Sequence, residues 1–256
     1  MKKCGIKKME LKQLTNYTRQ ILQIERFSDY CPNGLQVEGR PIVTKVVTGV
    51  TASMELLEAA KEAGADAVIV HHGYFWKNED ACLVGLKRNR IKFLLDNEMS
   101  LLAYHLPLDA HSELGNNAQL GKVLGLNVEA YVGKQSLIAQ GILEKPRNLA
   151  QFSEYIGNQL RRVPLVIGDL NRSVRRIAWC TGGAQGYMLD AIELGVDVFI
   201  SGEISEQTVH LARESGIAYI AAGHHATERY GVKALGEHLA DQFGLLHEFI
   251  DIDNPV

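Results

Sequence analysis

The sequence predicts an α/β protein built as two similar halves, each a layered arrangement of βαβ units, related by internal duplication. Three observations predict it. Short apolar runs alternate with helical stretches along the whole chain, the order that gives layered sheets with mostly parallel strands. One stretch reappears 131 residues later with matching landmarks. Histidines and acids gather where the apolar runs end, and in open α/β sheets that is where ligands collect.

The strand-like runs are TKVVTGV (44–50), AVIV (67–70), SLLAY (100–104), SLIAQGI (136–142), VRRIAWC (174–180), DVFIS (197–201), IAYIAA (217–222) and LHEFIDI (246–252). Helices are expected at 53–63, 86–97, 116–124, 148–160, 186–194, 204–215 and 226–240. A further helix reads from MELKQLTNYTRQIL near the start. In the repeat, KVVTGVTASMELLEAAKEAGADAVIVHH (45–72) lies on RIAWCTGGAQGYMLDAIELGVDVFISGE (176–203), so that Ala60, Glu62, Gly64 and Asp66 meet Ala191, Glu193, Gly195 and Asp197. A second match, LLAYHLPLD on IAAGHHATE, has an offset of 119, which places extra residues of the first copy around WKNEDACLVG. The expected halves are residues 1–128 and 129–256.

Composition bounds the function. The 256 residues are 46% hydrophobic and 22% charged with a formal net charge of −3, the balance of a soluble globular protein. No stretch concentrates Lys and Arg as a nucleic-acid footprint would, so no nucleic-acid partner is expected. The start, MKKCGIKKMELKQL, is basic but lacks the apolar run of a secretory signal, and Met9 competes with Met1 as initiator. No run reaches the length of a membrane span. Cys4, Cys31, Cys82 and Cys180 form no CxxC pair, which favours reduced thiols and a cytoplasmic setting. Any metal site is then built from nitrogen and oxygen.

The run VIVHHGYF (68–75) ends a strand in two adjacent histidines. Neighbours on a strand point to opposite faces. Either the chain turns and both rings converge, or one packs inward and the other meets water. Four of the nine histidines fall in two such pairs, His71-His72 and His224-His225. Around them lie His105, Asp109, Glu203 and Glu228. Imidazole with carboxylate is a donor set suited to Zn, Fe, Mn or Ni, and the site is expected in the cleft between the halves. In HHATERYG a helix starts at or just after His225, so residues four apart share a face and His224 turns towards Glu228. In HLPLDAH, Pro107 resists helix, and a loop is expected to carry Asp109 to the metal with His105 behind it or serving as a proton carrier. His111, His238 and His247 read as surface or packing residues.

These residues sit in blocks that resemble the GTP cyclohydrolase I type 2 homologue family, also called Nif-three-like, in its short bacterial form. The blocks are DYCPNGLQVEG (29–39), VTGVTAS (47–53), ADAVIVHHGYFWK (65–77), HLPLDAH (105–111), LGNNAQL (114–120), AWCTGGAQ (178–185), SGEISEQTVHLARE (201–214) and AAGHHATERYG (221–231). The resemblance implies two divalent metal ions per subunit held by His71, His72, Asp109, His224 and Glu228. It implies that Glu228 bridges, with His72 and Asp109 on one ion and His71 and His224 on the other. It also implies a ring-shaped homohexamer with its metal sites facing an internal cavity.

Two divalent ions can lower the pKa of a water and stabilise an oxyanion, so a metal-dependent hydrolase of a small molecule or nucleotide is expected. Glu203, His105 and His210 are the candidates for acid–base work around the ligands. Glu203 takes the place in the second copy that His72 has in the first; it is either a general base or a hydrogen-bond partner of a ligating imidazole or of backbone. Asn33-Gly34 reads as a tight turn. No GxxxxGK[ST] phosphate loop occurs. Two other classes stand beside the enzyme: a metal-loaded ring scaffold that binds protein partners, and a protein of metal storage or delivery.

Overall fold

The computed structural model describes residues 7–256. Met1 and Cys4, which bear on the start site and the thiol count, lie outside the described residues. In chain order the elements begin β1 (Met9–Glu10), α1 (Leu11–Ile21), β2 (Gly34–Val37), β3 (Ile42–Val43), β4 (Lys45–Thr51), α2 (Met54–Glu62), β5 (Ala67–His72), α3 (Gly85–Asp96) and β6 (Ser100–Ala103). There follow α4 (Leu106–Ala110), α5 (Asn116–Val123), β7 (Asn127–Val132), β8 (Ile138–Asn148), α6 (Leu149–Leu160) and β9 (Leu165–Ile167). The last are β10 (Ser173–Trp179), α7 (Met188–Glu193), β11 (Val198–Ser201), α8 (Glu206–Ser215), β12 (Ala218–Ala221), α9 (His224–Phe243) and β13 (Leu246–Phe249). Among the described residues no helix is long and apolar enough to cross a membrane.

The chain forms two compact units. One runs up to Leu108 and takes in Gly231–Asp253; the other is Asp109–Tyr230 with Asn254–Val256. A cut at residue 128 therefore differs from the observed units at both ends. β7 pairs with β8, and Leu120 and Leu124 of the α5 region join the second core, which draws residues 109–128 into that unit. β13 pairs in parallel with β4, which returns the C-terminal segment to the first.

The first unit holds a five-stranded sheet in the order β13-β4-β5-β6-β2 and a small β1-β3 ladder. Strands β4, β5 and β6 are parallel, and β2 closes the edge antiparallel. Val68, Ile69 and Val70 are all wholly buried, as expected where helices cover both faces of a parallel sheet. Leu56, Leu57 and Ala60 of α2 and Leu94 of α3 pack into that core. Ser53 caps α2, its hydroxyl accepting from Leu56 N at 3.2 Å.

The second unit holds a six-stranded mixed sheet, β7-β8-β10-β11-β12-β9. Its centre, β10-β11-β12, is parallel, while β8 and β9 flank it antiparallel. Helix α6 buries Leu149, Phe152, Ile156 and Leu160, a spacing that lines one helical face. Asn148 caps it by accepting from Gln151 N at 2.8 Å.

The repeat noticed in the sequence corresponds to one device used in each unit. Gly64 (φ +74°) and Gly195 (φ +61°) end a helix in the left-handed region that glycine tolerates. Asp66 Oδ2 then accepts from Thr44 N and Lys45 N at 2.7 and 3.0 Å. Asp197 Oδ2 accepts from Arg175 N and Arg176 N at 2.9 and 2.8 Å. The backbone of each aspartate also bridges its neighbouring strands, through Asp66 N to Lys45 O and Ser100 N to Asp66 O, and through Asp197 N to Arg176 O and Ala218 N to Asp197 O.

Candidate metal centre

In the first unit, β5 runs through both histidines, so the strand persists to His72 rather than turning before it. His71 is wholly buried and His72 partly exposed, yet the two rings stay within 4.7 Å, centroid to centroid. The strand ends at His72, and glycine follows it where a Cβ would overlap the Gln36 side chain and Ala103. His71 Nδ1 lies 2.8 Å from the Tyr104 carbonyl oxygen. A carbonyl only accepts, so Nδ1 carries the proton and Nε2 keeps its lone pair. Tyr104 is itself fixed, its hydroxyl sharing a hydrogen bond with Thr18 Oγ1. His72 Nδ1 lies 3.2 Å from Thr51 Oγ1 on the paired strand. Donor atoms of His71, His72 and His105 all fall within 4.8 Å of one another.

His105 follows β6 and does not stand alone. Its Nδ1 is 2.7 Å from Asp29 Oδ1, and its backbone N donates to Asn33 Oδ1 at 2.8 Å. Burial works against the Asp29 carboxylate, but the hydrogen bond and charge of His105, with bonds from Asn33 and Tyr30, hold it below its ordinary 3.8. Asn33 thus does more than make a turn. Asp109 sits on α4, a short helix where a loop is expected. Pro107 falls in the first turn, where its missing N–H costs nothing.

In the second unit, Asp109 and Glu228 are buried, at 5% and 3% exposure. Asp109 Oδ1 accepts from Asn116 Nδ2 at 2.8 Å and Thr181 Oγ1 at 3.3 Å. Asn117 braces the same wall: its Oδ1 accepts from Thr181 N, its carbonyl from Trp179 Nε1, and its amide donates to Leu137 O. Helix α9 brings His224 over Glu228, with Nε2 3.1 Å from Oε2, while Nδ1 lies 2.7 Å from Glu203 Oε1. Burial disfavours the charged imidazole, yet Glu228 and then Glu203 outweigh it and push His224 up to about 9. Burial, with the charges of Asp109 and Glu228, pushes the Cys180 thiol well above its ordinary range. Glycines make room: a Cβ at Gly182 would overlap the Glu228 carboxylate, and one at Gly202 would come within 2.7 Å of His224 Cα.

The donor chemistry fits a divalent cation. Buried carboxylates beside imidazoles favour positive charge, and the bonds on Nδ1 of His71 and His224 fix the direction in which each Nε2 points. Of the candidates for acid–base work, Glu203 takes the hydrogen-bonding place on an imidazole. His210 is exposed on α8, and no group of metal-capable donors among the described residues includes it. His238 stacks on Tyr17, His247 Nε2 lies 2.8 Å from Thr48 Oγ1, and His111 Nδ1 accepts from Glu113 N and Leu114 N. Sequence reasoning missed Asp29, Tyr104, Asn116, Asn117 and Thr181 as supports. Three of these lie in the blocks LGNNAQL and AWCTGGAQ, whose polar residues between apolar runs were the available signal.

The fold and this donor set define a protein of the Duf34/NIF3 (NGG1p interacting factor 3) family, to which the chain belongs, the family model matching residues 9–255. Curated relatives named "GTP cyclohydrolase 1 type 2 homolog" include one from Pseudomonas aeruginosa, 56% identical and covering 96% of this chain and 98% of the relative. Another, from Escherichia coli K12, is 52% identical over 98% of this chain and all of the relative. Among solved structures, protein ybgI, described as of unknown function, superposes with a TM-score of 0.94 at 51% identity, covering 97% of this chain and all of that one. TTHA1606 from Thermus thermophilus gives 0.87 at 34% identity, covering 97% of this chain and all of that one.

Proposed function

We propose that this protein binds two divalent metal ions and is a metal-dependent hydrolase of a small molecule or nucleotide. His71 and His72 of the first unit and Asp109, His224 and Glu228 of the second are the proposed ligands, Glu228 serving both ions. The observation that carries the reading is the tying down of Nδ1 in His71 and His224, by Tyr104 O at 2.8 Å and Glu203 Oε1 at 2.7 Å. Imidazoles oriented through Nδ1, with Nε2 directed elsewhere, are the arrangement that metal-ligating histidines adopt.

When bound, such ions supply Lewis acidity and an acidified water. The chain's own residues do the rest. Asn116 and Thr181 aim Asp109, and Glu203 aims His224. In the first unit, the Tyr104 carbonyl aims His71. The name shared by the curated relatives supports GTP cyclohydrolase-type hydrolysis as the first activity to assay. The homohexamer implied by the resemblance belongs to the same proposal, and light scattering measures it.

The test is metal analysis of protein purified without chelator, followed by a hydrolysis screen over nucleotides, phosphoesters and cyclic amides. About two ions per chain and turnover that chelator abolishes are expected. In Glu228→Gln both ions are expected to be lost; full occupancy at both positions would overturn the bridging assignment.

A further inference from the structure

Asp29 is 76 residues from His105 in sequence and collects four donors. Its Oδ1 accepts from His105 Nδ1 at 2.7 Å and Tyr30 N at 2.6 Å, and its Oδ2 from Asn33 Nδ2 at 2.8 Å and Leu106 N at 3.0 Å. With two oxygens already serving four donors, Asp29 has little left to offer a cation. Its neighbour Cys31, pushed up to about 12 by burial and then by the charge of Asp29, is a neutral thiol. Asp29, Cys31 and His105 bring donor atoms within 4.8 Å of one another, but the bonding is that of an anchored carboxylate rather than of a third metal position.

We infer that Asp29 and His105 form a carboxylate–imidazole relay, in which Asp29 is a positioning residue and His105 Nε2 is the proton acceptor beside His71 and His72. This role for Nε2 rests on the hydrolase reading above; the positioning does not. An ionised carboxylate only accepts, so Nδ1 of His105 carries the proton and Nε2 keeps the lone pair. The residue is held at three further points. Asn33 fixes its backbone, Trp76 packs edge-on with centroids 5.0 Å apart, and Tyr30 does so at 6.4 Å. Its centroid is 5.1 Å from that of His71 and 5.8 Å from that of His72. In the step proposed, an O–H bond of water or of a substrate hydroxyl breaks and the proton goes to Nε2. The electron pair stays on the oxygen as it attacks. The imidazolium keeps its Nδ1–H on Asp29, which remains ionised, and the proton then passes from Nε2 to the leaving atom.

The experiment is long-range ¹H–¹⁵N correlation of histidine-labelled, metal-free full-length protein at neutral pH, with His105→Gln identifying the His105 signals. The wild type is expected to show His105 protonated at Nδ1, and Asp29→Asn to lose that single tautomer. An Nε2–H tautomer in the wild type overturns the positioning, without any variant having to fold. So does an unchanged Nδ1–H tautomer in folded Asp29→Asn. On any substrate the hydrolysis screen yields, Asp29→Asn is expected to lower kcat by ~10²-fold or more, with KM and metal content unchanged. Unchanged kcat beside a lost tautomer overturns the proton-accepting role while leaving the hydrolase reading in place. A protein that hydrolyses nothing fails that reading alone, since the tautomer is read without turnover.

Discussion

The Nδ1 of His224 and the Oε1 of Glu203 lie 2.7 Å apart, and this bond turns the opposite nitrogen of the ring towards Glu228. Removing it frees the ring without touching a proposed ligand. Glu203→Ala is expected to weaken metal binding by roughly 10–100-fold, the usual effect of losing such an outer partner. Glu203→Gln, which keeps an accepting oxygen, should lose less. Competition titration with a metal-sensitive dye measures both, and equal affinity in all three proteins would deny the orienting role.

Gly182 has φ +69° and leaves no room for a side chain beside Glu228, whereas Gly195, at φ +61°, has open space around its absent Cβ. Both alanine variants carry the left-handed backbone cost, about 1–2 kcal/mol. Gly182→Ala must also displace the Glu228 carboxylate. It is expected to lose metal stoichiometry as well as stability, while Gly195→Ala loses stability only. Thermal unfolding and metal analysis on the two variants separate the effects.

Asp66 and Asp197 do the same work under different exposure, their side chains being 13% and 29% accessible. Removing an acceptor costs more when its donors stay buried. Asp66→Ala is expected to cost about 1–3 kcal/mol, and Asp197→Ala less, because water can reach the released amides more easily. Urea denaturation monitored by circular dichroism ranks them; a reversed order would refute the argument.

His247 titrates below its ordinary 6.5, first because it is buried and next because Lys233 lies near, with Glu248 opposing. The folded form therefore binds the proton less readily than the unfolded chain. The stabilising contribution is complete above pH 6.5 and is lost as pH falls through the depressed folded value. His247→Gln should flatten the decline in the urea midpoint over that acid range. An unchanged slope would show that another group governs it.

Much of this is legible in the sequence. Parallel strands buried on both faces appear as unbroken runs such as AVIV, and the Gly-x-Asp turns marked the repeated device. The histidine pairs stood out because strand ends rarely carry two. What stayed hidden depends on partners distant in the chain. Nothing local to Asp29 announces His105, and nothing near Asn117 announces Trp179. At the sheet edges, β7 is exposed and interrupted by polar residues, and β9 is only three residues long, so their apolar signal is weak. Pro107 misled because proline is a helix breaker only beyond the first turn.

The pairing of β13 with β4 has a consequence for synthesis. Residues 45–51 leave the ribosome some two hundred residues before the strand that completes their sheet. The second unit, by contrast, draws nearly all its sequence from one continuous stretch, Asp109–Tyr230. The later-made unit has its sheet complete while the earlier-made one still lacks an edge strand. Birth order and maturation order are thus opposed in this chain, and a nascent protein halted before β13 would display the open flank of β4 to its surroundings.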